Sequence, residues 1–281
     1  MLDTWLDEDI GRGDLTQEAI DNNKNKHAYW KCKQDGVFCG GELVRCLYNH
    51  LDSSVKIDLK KADGESFTLG ERIIELHGPV YSLLAGERTA LNLAMHLSGI
   101  ATATKKLVSE LQGTGVLLAD TRKTTPGLRQ LEKYAMRCGG GINHRLGLDD
   151  AAMLKENHIA WSDGIDKSIQ SLRKNIPWTS KIIVEAETDQ QAKEAISAGA
   201  DGVLLDEMSA KHICMLVPHL RALAKQMSRK IMIEASGIDP KEIKNYASTG
   251  VDIISTSAPI TKSNWIDFSM RFNENGEKTN V

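Results

Sequence analysis

Hydrophobic and polar positions follow two different rhythms along the chain. From Lys31 to about His77 the sequence runs in short alternating pieces, among them AYWKCKQDGVFCGGEL, VKIDLKKADGES and ERIIELHG. Gly36, Gly40, Gly41, Gly64 and Gly78 punctuate these pieces, a pattern that predicts strands joined by tight turns. From Tyr81 to Leu111 the spacing lengthens. Leu84, Arg88, Leu91, Asn92, Met95, Leu107 and Leu111 recur at helical intervals, which predicts a long helix with a break at Gly99. This first part of the chain reads as a small domain mixing strands and helix.

A new rhythm begins at about Val116. Apolar runs of strand length each end in a polar residue and lead into an amphipathic stretch: GVLLADTRK before LRQLEKYAMRC, KIIVEAET before DQQAKEAISAG, DGVLLDE before SAKHICMLVPHLRALAKQ. KIMIEASG then precedes DPKEIKNYASTG, and VDIISTSAP follows. Strands covered on both faces read as continuous apolar runs, and their alternation with helices implies a parallel sheet. Gly199 and Gly250 stand where helix-terminating glycines belong. The segment after Val116 is shorter than the roughly 250 residues of a full eight-unit βα barrel, so a reduced or incomplete barrel is expected.

What ends each run carries chemistry. The terminal residues are Asp120, Glu185 with Glu187, Asp206, Glu234 with Ser236, and Ser255 with Ser257. The carboxyl ends of barrel strands form the face on which active sites are built, so these acids and hydroxyls are expected to converge. An acid that merely terminates a strand and caps the next helix would look the same singly, but not in five runs in succession.

Composition narrows the picture. The formal net charge is −3 with 41% hydrophobic residues, so the chain has no global basic field for coating nucleic acid or an acidic membrane. Aromatic residues make up only 5%, too few for base-stacking platforms. The five cysteines, Cys32, Cys39, Cys46, Cys138 and Cys214, include no close CxxC pair, so neither a disulfide framework nor a structural zinc site is expected. The acidic start MLDTWLDEDIGRGDL has no apolar run, so no signal peptide is expected, and a cytoplasmic protein is the expectation.

Any anion chemistry must therefore come from local clustering, and one segment supplies it. DTRKTTPGLRQLEKYAMRCGGGINHRLGLDDAAMLKENH holds Arg122, Lys123, Arg129, Lys133, Arg137, His144, Arg145, Lys155 and His158. Arg129, Lys133 and Arg137 share one helical face, and a solvated stripe is the expectation for them. Arg122, Lys123, His144, Arg145 and Lys155 differ, lying at strand ends or beside the glycine run 139–141. Guanidinium forks and ammonium groups gathered there suit a small polyanion, and glycines let backbone N–H groups approach it. Carboxylates nearby could hold Mg²⁺ and ribose hydroxyls. The residues alone lead to an enzyme acting on a polyanion and do not name the acceptor.

At GERTALNLAMHLSGIAT, DTRKTTPGLRQLEKYA, GGGINHRLGLDDAAMLKENHI, VEAET, LLDE and EASG the chain resembles the quinolinate phosphoribosyltransferases, from EDIGRGDLT to WIDFSM. The resemblance implies an α/β fold: an N-terminal α/β sandwich and an incomplete, open α/β barrel, the type II phosphoribosyltransferase architecture. The expected boundaries are 1–105, 106–263, and a 264–281 segment packing back on the first domain. It implies the reaction of quinolinate with phosphoribosyl pyrophosphate to give nicotinate mononucleotide, pyrophosphate and CO₂ in NAD biosynthesis. Arg122, His144, Arg145 and Lys155 match residues that grip the quinolinate carboxylates, and Lys123 matches a lysine beside phosphoribosyl pyrophosphate. Glu185 and Asp206 match acids facing the ribose and Mg²⁺. Ser236 and Gly237, with Ser257, are expected at the 5′-phosphate. Arg88 matches an arginine that reaches a partner's site, so a homodimer is implied, with no nucleic acid and no membrane.

The match departs from the family pattern around the phosphate end. Ile238 replaces a second glycine, Glu207 stands where Asn is common, Ser257 replaces a glycine and Thr261 a histidine. Two other functions compete: a non-decarboxylating enzyme acting on nicotinate, and a catalytically silent metabolite-binding relative. A mono-acid would need fewer cations than Arg122, His144, Arg145 and Lys155 supply, and retention of Glu185, Asp206 and Lys155 argues against silence. Cys138 is expected to be a structural thiol, His96 and His158 hydrogen-bonded core or supporting groups, and Trp5, Trp30, Trp161, Trp178 and Trp265 packing residues.

Overall fold

The computed structural model describes residues 1–19 and 24–273. In chain order the elements begin α1 (Leu2–Ile10), β1 (Asn25–Cys32), β2 (Gly36–Val37), α2 (Gly41–Leu51) and β3 (Lys56–Leu59). There follow β4 (Ser66–Phe67), β5 (Arg72–Pro79), α3 (Val80–Glu110), β6 (Leu117–Ala119) and α4 (Arg129–Cys138). Next come β7 (Ala152–Leu154), α5 (Glu156–Ala160), α6 (Ile165–Asn175), β8 (Ile182–Ala186) and α7 (Asp189–Ala198). The chain continues through β9 (Gly202–Asp206), α8 (Ala210–Gln226), β10 (Met232–Ser236) and α9 (Ile243–Ala247). It ends in β11 (Ile253–Ser255), α10 (Ala258–Thr261) and β12 (Phe268–Phe272).

These elements form two compact units. The first comprises 1–104, 137–140 and 263–281, of which 274–281 lie outside the described residues; the second comprises 105–136 and 141–262. In the first unit an antiparallel sheet of order β12-β1-β5-β3 carries the core. Trp30, Phe38, Leu47, Tyr48, Phe67, Ile74, Leu83, Leu91 and Phe268 are buried together. Two expectations need correction here. Residues 41–51 form a helix, because Val44, Leu47 and Tyr48 place one apolar face inward at helical spacing. Gly99 does not break α3, which runs through it; its missing side chain admits the backbone of Asn264 and Trp265.

In the second unit six parallel strands run in the order β6-β11-β10-β9-β8-β7, with no ladder joining β7 to β6, so the barrel is open. The alternating apolar runs arise from a two-sided burial. Ala186, Leu205, Ala235 and Ile254 lie level across the sheet and face the helices. Their neighbours Glu185, Leu204 and Glu234 form the next row, on the other face, and Asp206 pairs with Ser236 one row further on. Side chains alternate along a strand, so this register gathers the polar residues inside the barrel at the carboxyl ends. Local signals fix the exits: after β8, Thr188 and Gln191 form a reciprocal capping box that starts α7, and Ser209 caps α8.

Candidate active site

At the carboxyl ends of the barrel strands lies a cavity of about 360 Å³. Arg122, Lys123, Arg129, His144, Arg145 and Lys155 line it on the basic side. Glu185, Asp206, Glu234, Ser236 and Ser255 line it as well, with Met153 and Leu204 as apolar wall. Eight of the eleven residues proposed from sequence therefore meet in one place: Arg122, Lys123, His144, Arg145, Lys155, Glu185, Asp206 and Ser236. Gly237 and Ser257 do not line the cavity; Gly237 directly follows β10 and Ser257 stands two residues after β11. Arg88 sits on α3 in the first unit, exposed to solvent.

The framework of the basic side is a buried ion pair. Asp120, just past β6, accepts a hydrogen bond from Lys133 Nζ on α4, and both are sealed from solvent. Asp120 also accepts from Asn143 Nδ2 at 2.5 Å and from the His144 amide at 2.9 Å, while Lys133 Nζ donates to His144 O at 3.0 Å. These bonds pin the backbone that presents His144 and Arg145. Two expectations change. Lys133 belongs to no solvated stripe, and Asp120 is a fully partnered support for the loop instead of a cavity acid. Arg129 leaves the stripe too: it lines the cavity and donates through Nε to Thr124 Oγ1 at 3.1 Å.

The lining cations stand in a different electrostatic state. The buried Arg145 donates to Ala151 O at 3.0 Å, but neither it nor Arg122 is ion-paired among the described residues. Desolvation, and then repulsion from the Arg122 guanidinium, hold Arg145 below the ordinary arginine range. Two guanidiniums that repel one another in a cavity are relieved by an anion. His144 accepts the Arg145 amide at Nδ1 (2.7 Å), which leaves Nε2 as the proton-bearing nitrogen of the neutral ring. That nitrogen lies 3.3 Å from Glu234 Oε2.

The acidic side mirrors this. Lys155 Nζ bridges to Glu185, and the exposed His158 accepts the Lys155 amide at Nδ1 (3.2 Å), a supporting role for His158. Glu187 lies outside the cavity, and its carboxyl is raised above the usual range by Glu156 first, then by desolvation, Asp206, Glu185 and Glu207. Glu234, like Arg129 and Ser255, lines the cavity though the site expectation omitted it, and its place at the end of an apolar run marked it. It is buried, and its Oε1 has no hydrogen-bond partner.

The Glu207 position has a backbone preference. Glu207 has φ 53 and Gly237 φ 70, both left-handed, and they pack together: a Cβ on Gly237 would lie 2.8 Å from Glu207 Cγ. Asn tolerates that conformation better than Glu, which is why Asn suits the position. One further expectation fails in part. Trp161 and Trp178 are 92% and 93% exposed and pack into no core. A second cavity, of about 570 Å³, opens at the other ends of the strands, beside Ile183, Gly202, Met232 and Ile253. It is the more apolar of the two and shares His144, Arg145 and Glu234 with the first, but Arg122, Lys123, Lys155, Glu185 and Asp206 line only the first, so the chemistry belongs there.

Two guanidiniums without ion-pair partners beside carboxylates and hydroxyls, at the strand ends of an open βα barrel, define an enzyme that binds a polyanionic substrate. Comparison with known proteins specifies it. Residues 14–98 match the N-terminal domain of quinolinate phosphoribosyl transferase, and residues 100–271 match its C-terminal domain. The chain is 42% identical to a probable carboxylating nicotinate-nucleotide pyrophosphorylase of Synechocystis, over 98% of this chain and 92% of that protein. It is 41% identical to the corresponding Bacillus subtilis protein, over 96% and 91% of the two chains. The solved nicotinate-nucleotide pyrophosphorylase of Francisella tularensis superposes with a TM-score of 0.91 at 37% identity, covering 97% of this chain and 94% of that one. The chain belongs to the quinolinate phosphoribosyltransferase family, and it is a phosphoribosyl-transferring enzyme. No helix among the described residues is long and apolar enough to cross a membrane.

Proposed function

We propose that the strand-end cavity joins quinolinate to phosphoribosyl pyrophosphate, releasing pyrophosphate and CO₂ and leaving nicotinate mononucleotide for NAD synthesis. The observation that carries this reading is the pair Arg122 and Arg145, which line one cavity and have no ion-pair partner among the described residues. A ligand with two carboxylates supplies what they lack, and Lys155 and His144 extend the grip to both groups.

The reaction divides into two steps. The quinolinate ring nitrogen attacks the anomeric carbon, and the bond to pyrophosphate breaks with its electron pair leaving on oxygen. The ring then carries a positive charge, which withdraws electrons from the adjacent carbon. The bond from that carbon to its carboxylate breaks, CO₂ departs, and a proton replaces it. The cations orient the dianion so that its nitrogen points at the sugar. Lys123 sits beside the departing pyrophosphate. Carboxylates of Glu185 and Asp206 face the ribose, stabilising positive charge as it develops at the anomeric carbon. Ser236, Gly237 and Ser257 receive the 5′-phosphate, with Ser257 donating where the family pattern has glycine. Glu185 and Asp206 would also hold Mg²⁺, which neutralises charge on pyrophosphate. Arg88 is assigned to the site of a second copy in a homodimer, and the cytoplasm is the compartment proposed.

Purified protein supplied with quinolinate, phosphoribosyl pyrophosphate and Mg²⁺ should yield nicotinate mononucleotide and CO₂ in equal amounts, with nicotinate giving none. Product from nicotinate alone would overturn the decarboxylating assignment.

A further inference from the structure

Two thiols and a carboxylate that the sequence keeps far apart meet in the first unit. Cys39, two residues before α2, Asp63 in the turn after β3, and Cys138 at the end of α4 bring one ligand atom each within 4.8 Å of one another. The reaction described above uses none of them.

Each is held in place by its surroundings. The backbone of Cys39 is fixed on both sides by Ser98, whose Oγ accepts the Cys39 amide at 3.0 Å and donates to its carbonyl at 3.2 Å. Asp63 Oδ1 accepts the amides of Gly40 and Gly41 at 3.0 and 2.9 Å, which fixes the carboxylate against the start of α2. Gly64 lets the turn lie against Cys138, for a Cβ there would stand 3.2 Å from the Cys138 carbonyl. Anchored ligands of this kind are what a metal site requires of its supporting groups.

We propose that Cys39, Cys138 and Asp63 form a binding site for a thiophilic divalent cation such as Zn²⁺. Thiolate sulfur and carboxylate oxygen are the donors such an ion selects. Around a tetrahedral ion, ligand atoms stand about 3.5 Å apart, so the cluster needs to contract by only about 1 Å. A dication bound here replaces the thiol protons and turns the carboxylate into a third ligand.

Cd²⁺ titrated into the reduced full-length protein reports the site through its ultraviolet thiolate-to-metal charge-transfer band. One equivalent should saturate the band, and equimolar Zn²⁺ should diminish it. Cys138→Ser should abolish the saturable band, and Asp63→Asn should weaken binding while keeping the band. A variant lacking the exposed Cys46 and Cys214 should bind as the parent does. Cys39→Ser can fail to fold because Cys39 is buried, so Cys138→Ser carries the test. An unchanged band in Cys138→Ser overturns the proposal. So does a reduced protein that shows no band yet forms a Cys39–Cys138 disulfide under hydrogen peroxide.

Discussion

Lys133 and Lys155 each reach a carboxylate in the same unit, and they do opposite things. Lys133 is 1% exposed, and its partner Asp120 is saturated by Asn143 and the His144 amide as well. Lys155 is 39% exposed at the cavity mouth, paired to Glu185 beside Arg122 and Arg145, which have no acid of their own. A charge whose every partner is internal is architecture. Charges crowded with their like in an open cavity await a ligand. The difference is one of satisfaction, not of residue type, and it separates the loop's scaffold from its working surface within a few residues.

Breaking the sealed pair should have the largest effect. Lys133→Ala leaves Asp120 buried and uncompensated, and should cost about 3–5 kcal/mol in denaturant unfolding. That is a large share of the about 5–15 kcal/mol that holds a typical domain. Breaking the open ring should instead spare the fold and remove function. Arg145→Ala should lower kcat/KM for quinolinate about 10³-fold, about 4 kcal/mol. Its stability should change by less than about 1 kcal/mol, since relief of repulsion from Arg122 offsets the lost bond to Ala151. If Arg145→Ala unfolds the protein while Lys133→Ala remains stable, the contrast is wrong.

Smaller tests sharpen the same contrast. Glu207→Asn should raise stability by about 0.5–1 kcal/mol, because Asn tolerates the left-handed backbone at φ 53 better than Glu does. The first unit supplies a pH test away from the cavity. His77 faces His27 directly across β1 and β5 with ring centroids 4.3 Å apart. Desolvation first, then His27 and Lys56, depress His77 below its ordinary 6.5. A depressed folded value means the unfolded chain binds the proton more readily. Stability from this group is therefore present above 6.5 and declines as the pH falls below it. His77→Gln should flatten that slope in thermal melts across the acid range.

The strand and helix rhythm of the second unit is legible in the sequence because two-sided burial demands unbroken apolar runs, as in IIVEA and GVLLD. The helix Gly41–Leu51 is not, since flanking glycines and neighbouring strand-like pieces mask its short apolar face. β7 and α6 pass unnoticed for a similar reason: three residues make a weak strand signal, and α6 buries only Ile165 and Ile169. For the cavity, position at a strand end identifies Arg122, Glu185 and Asp206, but helical spacing misplaces Lys133 on a solvated face. Periodicity says which side chains share a face, not what that face meets. Nor can spacing reveal the meeting of Cys39, Asp63 and Cys138, which depends on three separate turns of the first unit.

The central claim is that the unpaired guanidiniums recognise a second carboxylate. Calorimetric titration of quinolinate and of nicotinate into the parent protein and Arg145→Ala tests it most directly. Quinolinate should bind the parent much more tightly than nicotinate does, and the variant should lose most of that preference while remaining folded. If Arg145→Ala binds quinolinate as tightly as the parent, the cation ring is not where the dianion is read.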